Sequence, residues 1–115
     1  MNGLSRAGRR LPARCLLALA LSASLGVAAS WAGDTHRVVM KTVDYEPRRI
    51  LARVGDTVEW ANEDIVAHTA TARDRSWDVN VLPRRNGRTV MKLPGTLSYF
   101  CRYHPNMRGE IEVVP

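Results

Sequence analysis

A chain of 115 residues with a formal net charge of +6 has room for one domain. The charge gathers at the start, where Arg6, Arg9, Arg10 and Arg14 precede any acid; the rest holds thirteen basic against eleven acidic side chains. That near-balance leaves no case for nucleic-acid binding.

The leading segment reads as a secretory signal peptide covering residues 1–32. Its basic start is followed by an uncharged run, Leu16–Ala29, and by small residues, Ser30 and Ala32, three and one before the expected cut. The alternative is an uncleaved membrane anchor, but the run falls short of the roughly 18–20 residues of a spanning helix. The expectation is a periplasmic protein with one domain over residues 33–115 and no membrane span after cleavage. Cys15 leaves with the leader, so Cys101 is the lone thiol of the exported chain. In an oxidising compartment such a thiol is buried and inert, pairs between chains, or is held as a metal ligand.

From His36 onward, short runs rich in Val, Ile, Thr and aromatics alternate with turn residues, which predicts strands. His36–Val43 is the first, broken by Asp44-Tyr45-Glu46-Pro47. Arg49–Val54 follows, Gly55-Asp56 turns the chain, and Thr57–Ala61 places Val58 and Trp60 on one face. Asn62-Glu63-Asp64 is a polar loop, and His68–Ala72 extends again. Over residues 73–88 the pattern fades into an irregular connection with a short strand at Trp77–Val81. Arg73, Arg75, Arg84, Arg85 and Arg88 crowd this stretch as a solvated face or a patch that steers an acidic partner. Thr89–Leu93, Thr96–Cys101 and Glu110–Val114 complete an all-β, antiparallel sandwich.

The last two strands are joined by Cys101-Arg102-Tyr103-His104-Pro105-Asn106-Met107. In this C-x-x-H-x-x-M pattern a thiolate, an imidazole and a thioether recur at every third residue, so one tight turn can present all three to a single ion. A second imidazole, His68, follows the polar loop at what a sandwich would make the same end. Two imidazoles and a thiolate in a plane, with a weak axial thioether, suit a blue copper site. Zinc is the weaker reading, since it draws four Cys or His donors or leaves a position open for water. No carboxylate lies in the ligand loop to act as a general base.

These residues resemble the cupredoxin family, closest in ligand loop to the amicyanins, with plastocyanins and pseudoazurins as relatives. The C-x-x-H-P-x-M loop before Arg108-Gly109 carries the resemblance, with Tyr45-Glu46-Pro47, Val54-Gly55-Asp56-Thr57-Val58, Trp60, Asn62, Asp64, His68 and Pro94-Gly95-Thr96 in order. The resemblance implies a Greek-key β-sandwich holding one type 1 copper ion through His68, Cys101, His104 and Met107. It implies an electron carrier, not an enzyme, passing single electrons between larger redox proteins. In that role Cys101 is the anchor and conduit, His68 the buried equatorial ligand, His104 the exposed exit and Met107 the axial donor. A monomer is expected. The alternative function is a copper-handling protein that transfers or sequesters the ion; another is a metal-free binding module. Two departures stand out. Thr69 replaces the Asn that in many members ties the two ligand loops, and residues 73–88 match only loosely.

Overall fold

The computed structural model describes residues 33–115, with residues 2, 3, 8, 18–24 and 26 ahead of them. Most of the expected signal peptide, residues 1–32, lies outside the described residues. Nine strands form two sheets: β1 Thr35–Lys41, β2 Asp44–Glu46, β3 Arg49–Arg53, β4 Thr57–Asn62, β5 His68–Ala72, β6 Asp78–Val81, β7 Asn86–Val90, β8 Gly95–Phe100 and β9 Arg108–Val114. One sheet runs β2-β1-β4-β7, the other β3-β9-β8-β5-β6.

The all-β sandwich expected from the alternating runs is present, and each sheet is mixed. β1 pairs with β4 in parallel, as β3 does with β9, and the other pairings are antiparallel. The cause is connectivity. The chain leaves the first sheet after β2, lays β3 in the second, and returns as β4 in the direction of β1.

Several boundaries differ from the sequence pattern, and Asp44-Tyr45-Glu46, expected as a break, is a short strand paired with β1. The first strand ends at Lys41, because Thr42 and Val43 adopt left-handed φ of 50° and 56° and turn the chain into β2. Such a turn ordinarily calls for Gly or Asn; here the Asp64 carboxylate accepts both N–H groups, at 2.8 and 3.0 Å. The seventh strand begins at Asn86, inside the stretch expected to be irregular. It crosses the side chains of β6 so closely that a Cβ on Gly87 would fall 2.5 Å from Val79 Cγ1.

Alternation along the strands builds the core. Val38, Met40, Val58 and Trp60 from one sheet meet Ala52, Ala70, Tyr99, Ile111 and Val113 from the other, all buried. Trp60 stacks against Trp77 at 5.1 Å and meets Tyr99 edge-on at 5.6 Å, so the aromatic centre is shared by both sheets.

Candidate metal centre

β8 delivers Cys101 from the inward face that also carries Leu97 and Tyr99, and the sulfur is fully buried. The loop that follows is clamped by its own backbone. Cys101 N–H donates to Met107 C=O at 3.1 Å, and Met107 N–H donates to His104 C=O at 2.8 Å. Arg108 then enters β9, so the loop cannot lengthen. β5 supplies His68 as its first residue, entirely buried, at the same end of the sandwich.

Three donors converge there. His68 Nδ1 lies 3.8 Å from Cys101 Sγ and His104 Nδ1 3.7 Å from it, and all three atoms lie within 4.8 Å of one another. Bonds to one ion of about 2.0 Å from nitrogen and about 2.3 Å from sulfur span about 3.7 Å at a trigonal angle and about 3.5 Å at a tetrahedral one. The observed separations are those of donors able to share one ion, and an N₂S donor set suits copper better than structural zinc. Met107 is 1 % exposed and closes the loop that carries Cys101 and His104. His104 is half-buried, whereas His68 and Cys101 are sealed from solvent.

Comparison with known proteins agrees with this geometry. A family model described as a cupredoxin-like domain matches residues 14–113. The chain belongs to the cupredoxin family. It is 30% identical over 86 residues to the methylamine utilization protein MauL of Methylorubrum extorquens, covering 71% of this chain and 75% of that one. Among solved structures, a reduced amicyanin variant superposes with a TM-score of 0.63 at 26% identity, over 70% of this chain and 82% of the amicyanin. A copper-containing nitrite reductase from Thermus scotoductus matches at 27% identity and a TM-score of 0.63, over 69% of this chain but only 22% of the enzyme.

Around the donors this cupredoxin builds a second set of contacts. Thr69 N–H points at Cys101 Sγ from 3.3 Å. The Thr69 hydroxyl accepts the Arg102 N–H at 2.8 Å and donates to Thr71 Oγ1 at 2.9 Å, and Thr71 in turn donates to Asp78 at 2.7 Å. Each hydroxyl thus has one donor role and one acceptor role. Thr69 joins the His68 strand to the ligand loop, the task that the sequence comparison left in doubt when Asn was missing. Below it, the Tyr45 hydroxyl donates to Thr69 C=O at 2.5 Å.

Sequence reasoning passed over Asp64 as part of a polar loop. Its carboxylate meets His68 Nε2 at 2.6 Å, leaving Nδ1 as the free donor that faces the sulfur. Partial burial pushes the Asp64 carboxyl up, but the Val43 N–H, His68 and the Thr42 N–H together hold it below the ordinary carboxylate range. The signal available in sequence was an acid four residues before a ligand histidine. It is weak because a loop, unlike a helix, does not make that spacing a contact.

Proposed function

We propose that this cupredoxin holds one copper ion through His68, Cys101 and His104, with Met107 as the weak axial donor, and carries single electrons between larger redox proteins. The observation that carries this reading is the convergence of two Nδ1 atoms on a buried thiol, with His104 alone of the three residues reaching the surface. Bound copper supplies reversible one-electron chemistry; the chain supplies a geometry that need not change with oxidation state. The clamped loop fixes Cys101 and His104, the β5 strand and Asp64 fix His68, and burial keeps water from the thiol. His104 leaves its ring edge as the path for the electron.

Burial of His68, Cys101 and Met107 favours retention over ready release of the ion, which speaks for an electron carrier over a copper-handling protein. In this reading residues 1–32 are removed on export and residues 33–115 act as a monomer in the periplasm. Gly33 approaches the Gly55 carbonyl too closely for any side chain, which packs it against the β3–β4 turn as part of the domain. No described helix is long and apolar enough to cross a membrane.

The test is the absorption spectrum of the exported protein with one equivalent of Cu(II). An intense visible thiolate-to-copper band, lost with ascorbate and restored by an oxidant, is expected. Tight colourless binding of Cu(I) without that band would transfer the reading to copper handling.

A further inference from the structure

The arginines that are neighbours in sequence over residues 73–88 do not form one patch. Arg88 lies on β7 and pairs with Glu59 on β4, while Arg73 follows β5 in the other sheet. A different set gathers instead. Arg48, Arg49, Arg73 and Arg108 line one open cleft of about 530 Å³ along the solvent side of β3, β9 and β8, with Ser98 and Glu110 between them.

These four cations are unevenly neutralised. Arg48 pairs with Asp44, and Arg49 reaches Glu110 at 3.4 Å; the arginines are 72% and 81% exposed. Such exposed pairs exchange readily for other carboxylates. Among the described residues, neither Arg73 nor Arg108 has an ion-pair partner. Arg73 lies over the Phe100 ring at 4.9 Å, and Phe100 is the cross-strand partner of Arg108. The residue before the thiol therefore carries the Arg73 guanidinium on its ring and stands opposite Arg108 in the strand pairing.

We infer that this cleft docks a carboxylate-bearing segment on the surface of a protein partner. The partner class rests on the electron-carrier reading. Planar guanidinium groups favour carboxylates in two-point contacts. The cleft is open and its arginines stand in water, which suits a partner's surface better than the enclosed pocket a small ligand needs. Its position gives the docking a purpose: Arg108 directly follows Met107 and donates to Pro105 C=O at 3.4 Å. A partner held on Arg108 lies against the loop that presents His104.

A short oligo-glutamate peptide serves as the probe, titrated at low salt into isotope-labelled exported protein, Cu(I)-loaded and metal-free, with amide shifts read by NMR. Copper loading is followed separately by absorption, so failure of the copper reading leaves the peptide result standing. Shifts at Arg73, Ser98, Arg108 and Glu110, weakened by added salt, are expected. Charge reversal in an R73E/R108E variant should weaken binding about tenfold or more. An R84E/R85E variant, with the same change in net charge, should bind within about twofold of the parent. Should circular dichroism show the first variant misfolded, R73Q/R108Q takes its place with the same direction expected. Equal loss in both pairs of variants would reduce the effect to net charge and overturn the site. So would absence of binding, or citrate binding as tightly as the peptide, which would make it a small-anion site.

Discussion

In the proposed centre Met107 is the axial donor and Asp64 the partner of a ligand histidine, so their replacements should separate. A Met107→Leu variant keeps a buried apolar side chain of similar volume but removes the thioether. Copper should remain bound, and the reduction potential should rise by on the order of 60 mV, a tenfold shift in preference toward Cu(I) for a one-electron couple. A redox titration followed at the visible band reads this directly; loss of all copper would make Met107 indispensable to the site. Asp64→Asn keeps an acceptor for only one of the Thr42 and Val43 N–H groups and removes the negative charge beside His68 Nε2. Copper affinity should fall about 10–100-fold, the usual cost of losing a partner that orients a ligand. Competition with a Cu(I) chelator measures it, and an unchanged affinity would leave Asp64 only its role in the turn.

At the scale of elements, two short polar connections hold strands in place. Thr69 joins β5 to the ligand loop, so Thr69→Val keeps the shape and leaves the Arg102 N–H without its acceptor. The metal-free protein should lose about 1–3 kcal/mol in urea unfolding, and Thr69→Ser should restore most of it. Asp56 does the comparable task at the other end. It accepts from Asp34 N–H at 2.9 Å and Arg53 N–H at 2.8 Å and meets His36 Nε2 at 2.8 Å, fastening the start of β1 to the β3–β4 turn. The Arg53 N–H and His36 hold its carboxyl below the ordinary value of 3.8. A carboxyl depressed in the folded state stabilises the fold above its unfolded pKa and ceases to do so as pH falls through the folded one. Stability should therefore drop below about pH 4, and Asp56→Asn should flatten that acid limb. An equally steep limb in the variant would assign it to the other depressed carboxyls, such as Asp64 and Asp78.

For the whole molecule, a small domain with a metal centre at one end should depend on the ion. A ligand bound only by the folded state stabilises it by about 4 kcal/mol when present at a thousand times its dissociation constant. Copper loading should raise the thermal midpoint by about 15 °C or more, checked by calorimetry with and without the metal; equal midpoints would mean that the centre is not coupled to the fold. The sequence by itself determined the strand alternation, the inward face of Val58 and Trp60, and the donor group of His68, Cys101 and His104. These are legible because periodicity and a seven-residue loop are local properties of the chain. Strand ends were less legible, since the Thr42–Val43 turn depends on a carboxylate from another loop and the close packing at Gly87 on a neighbouring strand. Only the tertiary structure decided that both sheets are mixed, that Thr69 and Asp64 support the ligands, and which arginines stand together. The Arg48-Arg49 pair, Arg73 and Arg108 are distant from one another in sequence and line one cleft, whereas Arg73 and Arg88 of the crowded stretch lie with different sheets. Charge proximity is set by strand pairing across the sandwich, and no local pattern records that pairing.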